Sequence, residues 1–329
     1  MSDHKLPAYE LPPLIVRNPD GSYTRPGSSS YSPSITDQYS DTPVLTKDIT
    51  INHVSKTWAR IHIPKETLTM TGTPIKKLPL IVYYHAGGFV VLTAATTVAQ
   101  EFCNQLAAQV PAVVVNVDYR LAPEHRLPAA YEDGVEALHW IKSTNDPWLT
   151  KFADFSNCYL MGSSAGGNLA YHVGLRLSEQ VSALKPLEIK GLILHNPYFG
   201  GVERMDSEIR LASAQTDFTL SLSDAMWDLA LPVGANRNHE YCNPMMCGGL
   251  EGMGTVKAVG WKVLVAIRYG DLMIDRQMEF AKGLESKGVE CKCCYGDGDH
   301  CTEYFDKSKA KDLCAEISSF FSLVNVVNG

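Results

Sequence analysis

Short apolar runs alternate with helical patterns along most of the chain. Leu78 to Tyr84 is a continuous apolar run, which is typical of a strand buried on both faces of a parallel sheet. The pattern that follows predicts helices over 93–110, 131–141, 169–177, 277–287 and 310–324, and strands over 112–117, 158–161, 189–195, 261–269 and 289–295. This alternation predicts an α/β fold with a mostly parallel central sheet, flanking helices and right-handed crossovers.

Two regions depart from this rhythm. Residues 1–45 are rich in Pro, Ser, Tyr and Gly, with a turn signal at 18–22, and predict an N-terminal arm or part of a cap. Residues 198–231 are polar and aromatic, with one helix near 224–229, and predict a cap insertion. Residues 46–329, which include this insertion, are expected to form one domain, which begins with an antiparallel hairpin over 48–52 and 59–63.

Composition and charge narrow the classes of function. Hydrophobic residues make up 45% of the 329 positions and charged residues 20%, as in soluble globular proteins. The net charge of −7, without a basic stripe, argues against a nucleic-acid partner. No signal peptide or run of about 18 apolar residues is present, so we expect no membrane partner. A cytoplasmic protein with a possible nuclear share, monomeric or weakly dimeric, is expected.

Nine cysteines, an odd number, do not suggest a disulfide framework. Cys291, Cys293, Cys294 and Cys301 lie near His300 and offer an alternative interpretation as soft metal ligands. On a strand, however, Cys291 and Cys293 share one face while Cys294 points to the other, so the set converges poorly. We therefore favour small core residues and expect neither a metal nor a cofactor.

The strongest chemical signal is the pentapeptide GSSAG at 162–166, between a predicted strand and a predicted helix. Glycines flank the serine of such a motif because the sharp strand-to-helix turn leaves no room for side chains. Ser164 is the candidate nucleophile. The alternative is a helix N-terminus with a serine cap.

A serine nucleophile requires a base and an acid that orients it. His300 is the only histidine after the last predicted strand and follows the sequence GDGD. The expected chain order is serine, acid, histidine, which leaves Asp271 and Asp275 as candidate acids. Asp271 is favoured because it directly follows a strand, whereas Asp275 suits the N-cap of the next helix.

An ester reaction also needs donors for the oxyanion that forms at the carbonyl. The sequence HAGG at 85–88 offers backbone N–H groups without obstructing side chains, at Gly87 and Gly88, and Ala165 follows the nucleophile. A phosphate-binding loop is the rival interpretation. The sequence at 85–88, however, has neither the Lys-Ser/Thr that follows a phosphate-binding loop nor the spacing GxGxxG.

These motifs together resemble the plant carboxylesterases of the hormone-sensitive-lipase group, α/β-hydrolases that include the gibberellin receptors. The resemblance is carried by HAGGF at 85–89, DYRLAPEHRLPAAYED at 118–133, GSSAGGN at 162–168 and GDLMIDRQ at 270–277. It runs from about Asn18 to the C-terminal helix. It implies an α/β-hydrolase fold with a small cap, the triad and oxyanion donors named above, and a small-molecule ester as substrate.

Three positions depart from the family pattern. Ala86 stands where the family usually has glycine, Ser163 where it commonly has aspartate, and Thr302 where it commonly has phenylalanine. Ser163 removes a negative charge beside the nucleophile. These changes indicate a retuned pocket rather than a lost activity.

The resemblance implies hydrolysis of a methyl or acetyl ester of a plant specialised metabolite, in some alkaloid pathways followed by decarboxylation. The alternatives on the same fold are a hormone receptor, which lacks the catalytic histidine, and a non-hydrolytic cyclase, which lacks parts of the triad. His300 favours hydrolysis. The candidate pocket residues, each of which could instead belong to the core, are Phe89, Val90, Tyr198, Phe199, Met226, Trp227, Leu272 and Ile274.

Overall fold

A computed structural model describes residues 15–25, 30–69, 76–212, 218–246 and 249–325. Its strands are β1 (Val16–Arg17), β2 (Tyr23–Thr24), β3 (Val44–Asn52), β4 (Thr57–Pro64), β5 (Leu78–Tyr84), β6 (Val113–Asp118), β7 (Ala153–Ser163), β8 (Ile189–His195), β9 (Lys262–Arg268) and β10 (Cys291–Gly296). Its α-helices are α1 (Lys65–Thr69), α2 (Thr97–Gln109), α3 (Ala129–Ser143), α4 (Pro147–Phe152), α5 (Ala165–Ser178), α6 (Asp206–Arg210), α7 (Leu220–Ala230), α8 (Gly249–Ala258), α9 (Ile274–Ser286) and α10 (Lys307–Asn325). Short 3₁₀ helices occupy Val181–Leu184 and Thr302–Tyr304.

Eight of the described strands form one sheet in the order β10-β9-β8-β7-β5-β6-β4-β3. The hairpin β3–β4 is antiparallel, as its alternating pattern predicts, and β4 also pairs antiparallel with β6. The other pairs, from β6 to β10, are parallel. The predicted α/β-hydrolase architecture is confirmed.

Helices cover both faces of this sheet, which is why its central strands are apolar throughout. Helices α3, α5 and α9 pack on one face, in the larger cluster of buried residues. Helices α2 and α10 pack on the other face, in a second cluster. Parallel strands buried on both faces place their carboxyl ends along one edge, and that edge carries the loops with the candidate chemistry.

The positions of the elements agree with the sequence pattern better in the strands than at the ends of helices. Strands β5 and β8 have the predicted bounds, whereas α2 begins at Thr97 rather than near 93. The reason is a turn before the helix, in which Thr96 Oγ1 accepts a hydrogen bond of 2.9 Å from the backbone N of Thr93. Asp118 holds the same turn through the backbone N of Ala94 at 2.7 Å.

The N-terminal arm is described for residues 15–25 and from 30 onward; residues 1–14 lie outside the described residues. Its predicted turn at 18–22 is present, closed by a hydrogen bond of 3.0 Å from Gly21 N to Asn18 O. Arg25 donates to Val90 O at 2.6 Å and forms an ion pair with Glu124 at 2.7 Å. The arm therefore docks beside the loop that follows β5.

The insertion between β8 and β9 carries α6 and α7, and then α8, which packs on α5. Helix α7 is longer than the predicted helix near 224–229. Of the helices in the described ranges, none is both long enough and apolar enough to cross a membrane.

Candidate active site

Ser164 lies in the sharp turn between β7 and α5. Its backbone has φ = 53° and ψ = −119°, a left-handed conformation that side-chain-bearing residues rarely adopt. Glycines are required on both sides: a Cβ at Gly162 would lie 2.0 Å from Gly166 O, and one at Gly166 would lie 1.9 Å from Tyr84 O. The local sequence thus forces the turn and presents the Ser164 hydroxyl at the edge of the sheet.

Ser164, His300 and Asp271 form a continuous hydrogen-bonded series. His300 Nε2 lies 2.8 Å from Ser164 Oγ, and His300 Nδ1 lies 2.8 Å from Asp271 Oδ2. The three residues come from separate loops, after β7, β9 and β10, and meet because those parallel strands end at one edge. This arrangement can move a proton from the serine hydroxyl to the imidazole while the carboxylate holds the ring.

Asp271 is completely buried and is held by three further donors. Asn196 Nδ2 and Gln277 Nε2 donate to its Oδ2 at 2.9 and 2.8 Å, and Met273 N donates to its Oδ1 at 3.0 Å. Sequence reasoning missed Asn196 and Gln277, because nothing local marks a polar residue that supports a distant carboxylate.

The charges of the histidine and the carboxylate stabilise one another. Burial disfavours the ionised carboxylate, but His300 and the hydrogen bonds outweigh it and lower the pKa of Asp271. Burial likewise disfavours the imidazolium, but Asp271 outweighs it and raises the pKa of His300 well above 6.5. The imidazole is therefore a stronger base than a free histidine.

Asp275 has a different environment from Asp271. The sequence suggested an N-cap, but α9 begins at Ile274 after an N-cap at Met273, so Asp275 lies inside the first turn and that expectation was wrong. Its Oδ2 accepts a hydrogen bond of 2.7 Å from Ser207 N, which ties α6 of the insertion to α9.

Two glycines with positive φ shape the backbone of the loop HAGG. Gly87 and Gly88 have φ = 122° and 60°, and a Cβ at Gly87 would lie 2.0 Å from Val91 O. Among the described residues, no hydrogen bond uses the N–H groups of Gly87, Gly88 or Ala165. Unpaired backbone donors of this kind can bind an oxyanion.

A second serine–histidine–carboxylate series lies beside the first. Ser163 Oγ lies 2.7 Å from His195 Nδ1, and His195 Nε2 lies 2.8 Å from Glu303 Oε2. All three side chains are completely or almost completely buried, and Ser163 Oγ is also 2.7 Å from Tyr83 OH. Ser163 is enclosed by these partners and has no exposed surface, whereas Ser164 keeps 4% exposure, which favours Ser164 as the nucleophile.

Phe218 and Met226, both in the insertion, contact the candidate active site through their side chains. The ring of Phe218 stacks on His300 with centroids 4.4 Å apart. Met226, on α7, packs against Gly88 so closely that a Cβ on that glycine would lie 2.1 Å from its sulfur. Met226 was named from the sequence as a pocket candidate, whereas Phe218 was missed because it lies outside any motif.

The other candidate pocket residues lie in the buried core. Tyr198 is tied to the nucleophile, since its backbone N donates to Ser164 O at 2.9 Å, and its ring stacks on Trp227. Phe199 instead packs on Phe280 and Tyr171, between α5 and α9. The remaining candidates, all buried in the same cluster, are Phe89, Val90, Leu272 and Ile274.

The cysteines near His300 do not form a metal site in the described structure. Cys291 and Cys293 face the larger core cluster, while Cys294 and Cys301 belong to the second cluster on the opposite face of the sheet. Across the described residues, no group of three or more His, Cys, Asp or Glu side chains is arranged to hold a metal ion.

Comparisons with known proteins agree with the geometry. A family model described as the alpha/beta hydrolase fold matches residues 81–302. Carboxylesterase 20 of Arabidopsis thaliana is 47% identical over 308 residues, 93% of this chain and 94% of that protein. 3-O-acetylpapaveroxine carboxylesterase CXE2 of Papaver somniferum is 43% identical over 283 residues, 84% and 89% of the two chains.

Proteins that are less similar in sequence also match this chain over most of its length. The gibberellin receptor GID1C of Arabidopsis thaliana is 32% identical over 306 residues, 90% of this chain and 84% of that protein. Among solved structures, an esterase of Pyrobaculum calidifontis superposes with a TM-score of 0.70 at 26% identity and covers 84% of this chain and 85% of its own. The resemblance to plant carboxylesterases is confirmed.

Proposed function

We propose that this chain, which belongs to the α/β-hydrolase family and is a carboxylic ester hydrolase, cleaves its ester through an acyl-enzyme formed on Ser164. The observation that carries this proposal is the series Ser164–His300–Asp271, with both hydrogen bonds at 2.8 Å. The unpaired N–H groups of the adjacent loop and turn support it.

In the first half-reaction Ser164 Oγ attacks the ester carbonyl while His300 Nε2 accepts the hydroxyl proton. The carbonyl π electrons move to oxygen, and this oxyanion accepts hydrogen bonds from Gly87, Gly88 and Ala165. Asp271 keeps the proton of the ring on Nδ1 and stabilises the imidazolium.

The intermediate then collapses towards an ester of Ser164. The bond to the alcohol oxygen breaks as His300 Nε2 gives its proton to that oxygen, and the alcohol leaves. In the second half-reaction water attacks the acyl-enzyme, His300 takes the proton of the water and returns it to Ser164 Oγ, and a carboxylic acid is released. The groups that act are all side chains and backbone amides of this chain.

The substrate class that we propose is a methyl or acetyl ester of a plant specialised metabolite. Two relatives from Papaver somniferum are named as 3-O-acetylpapaveroxine carboxylesterases, which supports a short acyl group on a polycyclic alkaloid. Phe218, stacked on the ring that protonates the leaving oxygen, would place an aromatic surface beside the leaving alcohol. For a methyl ester whose acid readily loses CO₂, decarboxylation would follow hydrolysis.

Hydrolysis is favoured over reception of a hormone because of His300. A receptor binds its ligand and returns it unchanged, and has no use for a base that lies 2.8 Å from the serine hydroxyl. GID1C is among the relatives but is less similar to this chain than the carboxylesterases are.

The nucleophile is tested with an organophosphate and p-nitrophenyl acetate. We expect the wild-type protein to release p-nitrophenol and to be inactivated by one adduct, located by peptide mapping on Ser164. Ser164→Ala should take no label. Ser163→Ala is the matched control and should still be labelled at Ser164, because Ser163 faces the buried series. A label on Ser163, or none on an active protein, would contradict the assignment.

The substrate class is tested with pairs of acetyl and methyl esters built on the same polycyclic skeleton. Mass spectrometry follows acetate with the free alcohol, or methanol with the acid and its decarboxylated product. We expect turnover of at least one class of ester, with acetate or methanol released at the same rate as the larger product. Tight binding of these esters without turnover would favour a receptor, and rearrangement without methanol or acetate a cyclase.

A further inference from the structure

A chain of hydrogen bonds starts at the loop that precedes the candidate oxyanion donors. The backbone N of Ala86 donates to Tyr304 OH at 3.3 Å. Tyr304 OH lies 2.6 Å from Tyr83 OH, which lies 2.7 Å from Ser163 Oγ. All four residues are buried, so water does not compete for these contacts.

The chain continues through the second serine–histidine–carboxylate series to a buried cation. Ser163 is 2.7 Å from His195 Nδ1, His195 Nε2 is 2.8 Å from Glu303 Oε2, and Arg268 Nε donates to Glu303 Oε1. Burial disfavours the carboxylate, but His195 and Arg268 outweigh it and lower the pKa of Glu303 to about 2. The far end of the chain is therefore a fixed negative charge.

One direction of donation, with His195 neutral, satisfies every hydroxyl in this series. With Nε2–H of His195 donating to Glu303, its Nδ1 accepts from the Ser163 hydroxyl. Ser163 then accepts from Tyr83, Tyr83 from Tyr304, and Tyr304 from the N–H of Ala86. Each hydroxyl donates once and accepts once, and networks polarised in one direction strengthen their members.

The network joins the loops that carry the proposed chemistry. Ser163 directly precedes the nucleophile, and Glu303 and Tyr304 follow His300 in the 3₁₀ helix Thr302–Tyr304. Phe102, on α2, stacks on the rings of both Tyr304 and His195, with centroids 4.9 and 5.8 Å away, which leaves these rings little freedom.

We propose that Tyr304, Tyr83, Ser163, His195 and Glu303 form a positioning network that fixes the amide of Ala86 and thereby aims the N–H groups of the oxyanion loop. This inference rests on the proposed function. None of these side chains touches the ester; they act through the backbone of the loop.

The Ala86 amide belongs to a peptide plane that is held at both ends, by the network at Ala86 N and by Tyr119 at His85 O. His85 O accepts from Tyr119 OH at 2.7 Å, and Gly87 O accepts from the backbone N of Val90 and Val91, each at 2.9 Å. The next peptide plane, which carries the N–H of Gly87, is joined to that of the Ala86 amide at the Cα of Ala86, and its carbonyl Ala86 O lies 2.7 Å from His85 Nδ1. A shift of this plane re-aims the next donors, and small displacements of catalytic groups are costly in rate.

Two neighbouring tyrosines on β5 provide a matched test. Tyr83 faces the network, whereas Tyr84 points to the opposite face of the sheet and donates to Gly134 O at 3.2 Å. Both are completely buried, so Tyr83→Phe and Tyr84→Phe each remove one buried, hydrogen-bonded hydroxyl. Tyr304→Phe removes the acceptor of the Ala86 amide itself.

Two readouts separate positioning from stability. The first is the split between kcat and KM for p-nitrophenyl acetate. The second is the inhibition constant of a trifluoromethyl ketone, which forms a hemiketal with Ser164 and places an oxyanion among the proposed donors. Thermal unfolding of each variant accompanies both.

We expect Tyr304→Phe to lower kcat about tenfold with little change in KM, and to weaken the ketone by a similar factor, because the oxyanion donors are misaligned. Tyr83→Phe should act in the same direction but less strongly, and the double variant should be less than additive because the two act in one network. Tyr84→Phe should change neither readout.

The proposal is overturned if folded Tyr304→Phe and Tyr83→Phe match Tyr84→Phe in both kcat and ketone affinity. Should Tyr304→Phe fail to fold, Tyr83→Phe alone decides between these outcomes. These variants are to be compared only after organophosphate labelling has located the adduct of the wild-type protein on Ser164. A wild-type protein without that label would instead refute the proposed function, so the two failures are distinguishable.

Discussion

Ser163 and Ser164, adjacent in the chain, direct their hydroxyl groups to two different histidines, Ser163 to His195 at 2.7 Å and Ser164 to His300 at 2.8 Å. The positive φ of Ser164 turns its side chain away from the direction set by β7. One hydroxyl consequently lies in a closed core, and the other lies at the sheet edge with unpaired N–H groups nearby. Two similar series of residues are thus assigned different roles by backbone geometry.

The first prediction concerns the acid of the triad. Asp271→Asn should lower kcat by about 10⁴, because the amide no longer holds the productive tautomer of His300. Asp275→Asn keeps an acceptor for Ser207 N and should leave kcat within about twofold of wild type. Steady-state kinetics on the two folded variants measure this difference. If Asp275→Asn is the inactive variant, the acid has been assigned wrongly.

The second prediction concerns the dependence of the rate on pH. His300 must be unprotonated to accept the proton of Ser164, so kcat/KM should fall as the pH drops below the pKa of His300. Because Asp271 raises that pKa, the midpoint of the acid limb should lie above 6.5. Asp271→Asn removes the charge and should move the midpoint to lower pH.

Rates of p-nitrophenyl acetate hydrolysis, corrected for the spontaneous reaction, test this across neutral pH. For the slower Asp271→Asn variant, the rate of organophosphate labelling of Ser164 replaces turnover. If Asp271→Asn does not change the midpoint of the acid limb, a group other than His300 determines the fall in rate at low pH.

The third prediction concerns acid stability. Folding lowers the pKa of Glu303 from 4.5 to about 2, so its carboxylate stabilises the native state above pH 4.5, and this stabilisation is lost as the pH falls towards 2. Glu303→Gln should lower the free energy of unfolding by about 3 kcal/mol near neutral pH, since it leaves Arg268 buried without a counter-charge. The free energy of unfolding of Glu303→Gln should also vary less between pH 4.5 and pH 2 than that of the wild-type protein.

Denaturant unfolding at several pH values measures the effect. Glu316→Gln is the control, because Glu316 pairs with Lys292 at 2.8 Å on the exposed surface, where such pairs contribute little. Equal losses in both variants would mean that burial of Glu303 has no special part in stability.

The fourth prediction concerns metals. The proposed mechanism places each developing charge on a side chain or backbone amide of the chain, so treatment with EDTA should leave kcat unchanged. Atomic absorption of the purified protein provides the check. Stoichiometric zinc that is removed together with activity would revive the cysteine cluster around His300 as a metal site.

Much of this protein could be predicted from its sequence because the relevant signals are local. A strand buried on both faces requires an apolar run, which is why β5 and β8 have the predicted bounds. The strand–turn–helix context of GSSAG and the chain order serine, acid, histidine pointed to Ser164, Asp271 and His300. The structure brings these three residues within hydrogen-bonding distance.

Other features depend on contacts between residues that are distant in the chain. Asn196 and Gln277 hold Asp271, and Glu303 pairs with His195 across 108 positions. A polar residue at the end of a strand looks the same in the sequence whether it faces solvent or a buried partner. Its partner becomes apparent only when parallel strands bring their carboxyl ends to one edge.

The sequence by itself therefore determined the fold class and the alternation of the main strands and helices, and it pointed to the residues of the proposed triad, because local motifs and their chain order carry these signals. The tertiary structure decided which histidine each of two adjacent serines faces, and it linked Ser163 through Tyr83 and Tyr304 to the Ala86 amide. The physical reason is burial: excluding water makes an unpaired polar group costly, so Ser163 and its neighbours persist inside the protein only as a closed series of partners.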